Sequence, residues 1–208
     1  MKKEKKKLDV VFVLDKSGSM SGSEESTISS FNEYLEREKK NTFETRISTV
    51  LFSDTYSYLY QNVPVKEVKP ITSKEYYVGG CTALYDALGN SISYMNQLET
   101  DKVLFIIITD GYENASKEFD KNTIKRMITK HSDWEFIYIG ADIDSYATGG
   151  DIGISEENIS NYKKDRVGIS KLFKAVGNFE ASMMDEETSY SKTHWKEELE
   201  EYLEENNH

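Results

Sequence analysis

The chain has little of the chemistry that makes a protein disulfide-bonded, membrane-spanning or dependent on histidine. One cysteine, Cys81, stands among 208 residues, so no internal disulfide can form, a usage that suits the cytosol. The only histidines are His131, His194 and His208, which leaves little for imidazole catalysis. Prolines are fewer still: Pro64 and Pro70 alone bracket a stretch expected to be irregular. No apolar run approaches the ~18–20 residues of a membrane helix. The opening MKKEKKK followed by LDVVFVL imitates a secretory signal, but its apolar run is short, Asp9 interrupts it and no small-residue cleavage site follows. The expectation is a cytoplasmic protein. Positive charge is also in short supply, with 26 Lys and Arg against 37 Asp and Glu and a net charge of −11. Duplex nucleic acid and anionic membranes would repel such a chain, so neither is expected as its partner.

What is present is a packed centre with charged ends. Aromatic residues make up 12% and hydrophobic residues 38% of the sequence, too many for a disordered chain. Residues 1–7 hold five lysines and one glutamate, whereas Asp185 to His208 hold nine acids against Lys192 and Lys196. The division expected is a basic N-terminal tail over 1–7, one domain over 8–184, and an acidic C-terminal tail or helix over 185–208. Within that last segment Trp195, Leu199 and Tyr202 fall three or four apart on a possible helix, beside the alternative of a solvated acidic tail.

Periodicity supplies the elements. VVFVLD, FETRISTVLFS, YSYLYQNV, KVLFIIIT and WEFIYIG read as strands, the third close enough to the second to pair with it as an antiparallel hairpin. Helices are expected just past Ser23, with Ile28, Phe31, Tyr34 and Leu35 on one stripe; at or beside Thr82; over about Lys121 to His131; near Asp144 to Thr148; and over Val167 to Met184. A weak strand is expected around Asn158 to Tyr162. Strands alternating with helices imply a doubly wound α/β fold, a mainly parallel sheet with one antiparallel strand and helices on both faces. Ligands of such sheets bind beyond the carboxyl ends of the strands, where the topology reverses.

At that edge the sequence places its oddest residues. VVFVLD runs into KSGS, so a core strand ends in Asp15, Ser17 and Ser19; GGCT brings Thr82 to the start of a helix; KVLFIIIT ends in Asp110-Gly111. Two carboxylates and three hydroxyls form an all-oxygen set without His or Cys, which suits a hard cation, Mg2+ or Mn2+. Residues two apart in extended chain point the same way, and Gly18 would let the segment curl so that Asp15, Ser17 and Ser19 converge. Each part has a plainer reading: a capped turn at Asp15-Ser17-Ser19, an N-cap at Thr82 for a helix starting at Ala83, an ordinary turn at Asp110. Nearby, Glu113 and Asn114 read as solvated loop residues, Lys16 as pointing outward, Cys81 as a small buried residue, and Gly79 and Gly80 as room for the Thr82 loop to shift. Tyr56, Tyr58, Tyr60, Tyr76 and Tyr77 read as hairpin and core packing.

Asp-x-Ser-x-Ser at the end of the first strand, a threonine opening a helix and Thr-Asp-Gly at the end of a later hydrophobic strand together resemble the von Willebrand factor A (VWA) domain. The resemblance covers about Leu8 to Met184 in element order and points to a stand-alone intracellular member of bacterial or phage-like type. It implies a metal-ion-dependent adhesion site (MIDAS) in which Ser17 and Ser19 ligate the metal, Asp15 and Asp110 act directly or through water, and Thr82 ligates in the ligand-competent arrangement. The remaining position is then left to a Glu or Asp of a protein partner, and the chain is a binding module, an adaptor or cofactor, with no enzymatic activity of its own. The competing class is an Mg-dependent phosphatase of haloacid dehalogenase type with Asp15 as nucleophile. That chemistry resembles Asp-x-Asp-x-Thr, whereas Ser17 stands at the second acid and no lysine stands out as its partner. A Ser-His-Asp hydrolase would need His131 near Ser17 or Ser19, and the helix end that carries it is expected far from that rim.

Overall fold

A computed structural model describes residues 7–41, 43–184 and 194–206. Six strands, β1 (Lys7–Asp15), β2 (Glu44–Phe52), β3 (Tyr56–Pro64), β4 (Lys102–Thr109), β5 (Glu135–Gly140) and β6 (Ile159–Asn161), form one sheet in the order β3-β2-β1-β4-β5-β6. All neighbours are parallel except β2 and β3, as the short SDT link between them dictates. The helices are α1 (Glu24–Glu38), α2 (Leu84–Met95), α3 (Lys121–Lys130), α4 (Ser145–Asp151), α5 (Arg166–Met184) and α6 (Glu197–Asn206). This is the doubly wound architecture expected from the alternation of elements. After β1 the chain crosses to β2 on one side, then returns past β1 to β4 on the other. The topology therefore reverses between β1 and β4, and their carboxyl ends frame the crevice.

Alternation along β1 shows why the sheet is covered twice. Leu8, Val10, Phe12 and Leu14 face α1 and α5, whereas Val11 and Val13 face α2 and α3. On the first side Phe12 meets Phe31 and Tyr34 edge to face, each at 5.1 Å between ring centres, and Phe173 of α5 closes the group. The helical stripe read from the sequence, Ile169, Leu172, Phe173, Val176 and Phe179, is buried throughout. Among the described residues no helix is long and apolar enough to cross a membrane.

The C-terminal segment is where burial departs from the simplest expectation of a solvated tail. Residues 185–193 lie outside the described residues, but α6 packs on α5 and β6. Trp195 is 2% exposed, sits edge to face on Phe179 at 5.5 Å, and donates its indole N–H to the Glu157 carbonyl at 3.1 Å. Leu199 is buried beside it. Lys196 Nζ donates to the Ile159 carbonyl of β6 at 2.5 Å, so side-chain donors cover part of the sheet's last strand. Trp195 thus packs from the turn just ahead of α6, Leu199 is the buried residue of the helix itself and Tyr202 is half-buried, while the acids are mostly exposed.

Two stability predictions follow from this packing. Truncating Trp195 to Ala removes a buried aromatic and leaves Glu157 without its donor; it is expected to lower unfolding free energy by about 3 kcal/mol in urea titrations. Asp9 is buried at the amino end of β1, on the face shared by Val11 and Val13. Burial pushes its carboxyl up to about 6, against the opposing pull of Arg46. Because the folded state holds this proton more tightly than the unfolded chain, stability is favoured at low pH and falls as pH rises through the window from about 4 to 6. Replacing Asp9 by Asn is therefore expected to change little at pH 4 and to stabilise by up to about 2 kcal/mol at pH 7.5, measured by denaturant titration at both pH values.

Candidate metal centre

Asp15 is the last residue of β1, with no exposed surface. Its Oδ1 accepts from the Ser17 backbone N–H at 2.7 Å, its Oδ2 from Thr109 Oγ1 of β4 at 2.6 Å, and its carbonyl from the Tyr76 hydroxyl at 2.7 Å. Burial raises the Asp15 pKa and the neighbouring Asp110 charge adds to that, whereas the bonds from Thr109 and Ser17 oppose it. Both carboxylate oxygens are thus turned inward and engaged by the chain itself.

From Asp15 the chain passes into a single 3-10 turn, Gly18–Met20. Ser17 Oγ and Ser19 Oγ lie 2.9 Å apart, and Ser19 Oγ donates to Asp110 Oδ1 at 2.5 Å. The last member of the group arrives from elsewhere. A Cβ built on Gly111 would stand 2.8 Å from Thr82 Oγ1 and 3.3 Å from Ser19 Oγ, so these two hydroxyls flank one small space that glycine leaves open. The structure therefore brings together all five residues that the sequence singled out: Asp15, Ser17, Ser19, Thr82 and Asp110. Among the described residues no three His, Cys, Asp or Glu side chains converge as a metal-binding group. Any ion here would be held by hydroxyls as much as by carboxylates, an all-oxygen donor set that fits a hard divalent cation.

Neighbouring loops fix this arrangement. Lys16 N donates to the Phe52 carbonyl at 2.8 Å, Gly79 N to the Lys16 carbonyl at 2.9 Å, and Gly18 N to the Gly80 carbonyl at 3.0 Å. Gly18 lies in ordinary contact with Gly80, whose oxygen is 3.4 Å from where its Cβ would be, and its φ is not positive; the segment does curl, as the 3-10 turn, but without using the conformational freedom expected of glycine. Gly80 has φ +84, and a side chain there would collide with the Asp54 carboxylate, which itself accepts from Cys81 N at 3.1 Å. Its glycine is required by a positive φ and a close neighbour, a different role from the loop freedom read in the sequence. Cys81 is exposed, which corrects the buried reading: the backbone turns its side chain outward to aim Thr82 inward. Thr82 precedes the N-cap, which is Ala83, and α2 starts at Leu84, so the plain capping role does not hold.

Glu113 is half-buried, and Asn114, although exposed as a solvated loop residue would be, is bonded to Thr82. Asn114 Oδ1 accepts from Thr82 N at 2.8 Å, while its own N–H donates to the Thr82 carbonyl at 3.0 Å. Glu113 accepts from the backbone N–H groups of Tyr85, Ala115 and Ser116 at 2.8–3.0 Å. Both are fasteners between the β4 loop and the start of α2. Asp86 adds a third by accepting from Lys117, Glu118 and Phe119 N–H groups. Sequence reasoning missed Asp86, Thr109 and Lys164. Only the Asx and Glu turn chemistry of the loop, visible as Glu113 three residues before Ser116, offered a local signal.

Lys164, in the loop between β6 and α5, attends the acids of the cluster. Its Nζ donates to Asp110 Oδ2 at 2.9 Å and to the Ser19 carbonyl at 2.9 Å. Burial works against its ammonium, but the Asp110 carboxylate, with Asp142 behind it, leaves the pKa raised. The rim carries two exposed tyrosines: Tyr77, 61% exposed and stacked on the Lys16 ammonium at 4.0 Å, and Tyr112, 57% exposed. Of the tyrosines assigned to packing, Tyr76 is fully buried and Tyr56, Tyr58 and Tyr60 are half-buried, so Tyr77 alone departs from that reading. His131 lies on the far side, at the end of α3 and stacked on Trp134. Sizeable clefts open elsewhere, as in the ~450 Å³ groove between α1 and α5 lined by Glu25, Ser29, Arg166 and Ser170.

Solved structures of the same architecture are numerous. Proximal thread matrix protein 1 from the mussel byssus superposes with TM-score 0.62 at 18% identity, over 83% of this chain and 45% of that one. A form of it described as having a zinc-occupied MIDAS motif superposes with TM-score 0.59 at 19% identity, over 83% and 45%. A von Willebrand factor type A protein from Catenulispora acidiphila gives TM-score 0.60 at 14% identity, over 81% and 41%. The chain spans less than half the length of these three structures. No curated protein matches it in sequence. Residues 1–132 match the family described as "VWA domain containing CoxE-like protein", a stretch that runs from β1 through α3 and contains all five residues of the oxygen cluster. With more than half of its sequence matched by that family, the chain belongs to the VWA family.

Proposed function

We propose that Asp15, Ser17, Ser19, Thr82 and Asp110 form a MIDAS that holds Mg2+ or Mn2+, and that the chain uses it to bind a Glu or Asp side chain of a protein partner, as an intracellular adaptor. The observation that carries this reading is the convergence of the Ser17, Ser19 and Thr82 hydroxyls and the Asp110 carboxylate at the β1/β4 switch point, with buried Asp15 holding the serine loop through Ser17 N. Ser17, Ser19 and Thr82 are the candidates for direct ligands. Asp15, with both oxygens already accepting from the chain, is suited to act through water or to hold the serine loop in place. A cation bound largely by neutral hydroxyls keeps net positive character, and its chemistry is to give a foreign carboxylate oxygen a Lewis-acid seat.

The zinc-occupied MIDAS of the mussel byssus protein supports a divalent ion at this place in the fold. The absence of His and Cys from the donor set here favours Mg2+ or Mn2+ over zinc. The rim supports a protein ligand: Tyr77 and Tyr112 are exposed on it, and aromatic side chains of this kind are common anchors in protein interfaces. Against the phosphatase alternative, a nucleophilic aspartate needs a free oxygen facing the substrate, whereas Asp15 is buried with both oxygens bonded.

Calorimetric titration of MnCl2 into chelator-treated protein is expected to show saturable binding that weakens roughly 10- to 100-fold in Asp15→Ala and Ser17→Ala. Phosphatase assays on the same samples are expected to show no turnover. Metal-dependent hydrolysis that disappears with Asp15 would make the chain an enzyme instead. A second expectation uses the space itself: Gly111→Ala places a methyl 2.8 Å from Thr82 Oγ1. Its metal affinity should fall by a similar factor, while circular dichroism shows an unchanged fold.

A further inference from the structure

Lys164 belongs to no motif, yet it grips the cluster at two points. Its ammonium is bonded to Asp110 Oδ2 and to the Ser19 carbonyl, each at 2.9 Å, while Asp142 Oδ2 stands 3.4 Å away on the outside. Asp110 has no exposed side-chain surface, whereas Asp142 is 70% exposed. The lysine thus spans from a buried acid of the cluster to a solvated one at the rim. The side chains on either side of it in sequence are both held. Lys163 Nζ donates to the Asn206 carbonyl at 2.6 Å, and Asp165 accepts from the Tyr202 hydroxyl at 3.0 Å and from Gly168 N at 2.8 Å. The C-terminal helix α6 therefore sets where Lys164 stands.

We infer that Lys164 is a tethered internal cation that neutralises Asp110 and must give way when a divalent metal enters, so that it sets the metal affinity of the site. This rests on the metal-binding reading above. A buried carboxylate without a counter-charge is costly, and Lys164 supplies one. A divalent ion among Ser17, Ser19, Thr82 and Asp110 would meet a like charge already seated on two of those residues. Their repulsion at such range in a half-buried site is strong. Lysine has the means to leave, with a flexible four-carbon stem, a side chain 24% exposed, and Asp142 as a second partner outside the cluster. The cost of moving it lowers the apparent affinity for metal, as any unfavourable conformational step does.

The test compares Mn2+ affinity by calorimetry in the full chain, wild type against Lys164→Met, Lys164→Arg and Lys16→Met. Lys164→Met is expected to bind roughly tenfold more tightly, and Lys164→Arg, which keeps the charge, within about threefold of wild type. Lys16→Met removes the same net charge from a side chain stacked on Tyr77 and is expected to shift affinity by less than about threefold. An affinity for Lys164→Met equal to or below that of wild type overturns the inference and leaves the metal site standing. No saturable binding in any of the proteins overturns both. A second measurement needs no variant: acetylation of wild-type lysines by an amine-directed reagent, read by peptide mass spectrometry with saturating Mn2+ or with chelator. Metal is expected to accelerate labelling of Lys164 by about threefold or more and leave Lys16 unchanged; an unchanged Lys164 rate refutes its displacement.

Discussion

The burial of one carboxylate, Asp15, at the junction of β1 and β4 is the constraint on which the rest of the site depends. Its bonds to Thr109 Oγ1, to Ser17 N and, through its carbonyl, to Tyr76 tie together the two central strands, the serine loop and the segment ahead of α2. A buried acid is tolerable only when its lone pairs are met. Meeting them forces the chain after β1 to turn back over the strand end. That turn presents Ser17 and Ser19 on one side and excludes Asp15 from the surface.

From this anchor the remaining oxygen donors are placed by backbone contacts between loops. The β1 loop is bonded to the Gly79-Gly80 segment, that segment to Asp54, and Thr82 to Asn114 beyond β4. Each contact joins segments distant in sequence. The cluster is therefore built on the rigid ends of a central parallel sheet, with loops that supply side chains but little freedom. The exposed tyrosines lie around the rim, with Lys164 bonded to Asp110 and Lys16 stacked on Tyr77.

The C-terminal segment shows how composition can mislead about architecture. Between Trp195 and Asn206 the acids outnumber the apolar residues, which favours a solvated reading, yet two side chains spaced four apart, Trp195 and Leu199, are buried. Their burial outweighs the charge because the acids need only the outer face of α6. By holding Lys163 and Asp165, the same helix reaches the loop beside the oxygen cluster. Helix α6 and the candidate site are therefore structurally continuous.

The sequence by itself determined the elements and their order and marked out the five oxygen-bearing residues at the strand ends and the helix start, because strand and helix periods and strand-end polarity are local properties. The antiparallel β3 followed from a short link, and the doubly wound sheet from the alternation of types. Tertiary structure alone decided what those donors face. Asp15 is turned inward because Thr109 lies opposite on β4; Thr82 faces the cluster because Asn114 and Ala115 hold its backbone; Cys81 beside it is exposed. Glu113 and Asn114 became fasteners only once α2 stood beside the β4 loop. Lys164 was illegible for the plainest reason: it lies 54 residues from Asp110, in a charged stretch without pattern. Only the placement of β6 and α6 carries its ammonium to the cluster, and no local rule links residues across such a distance.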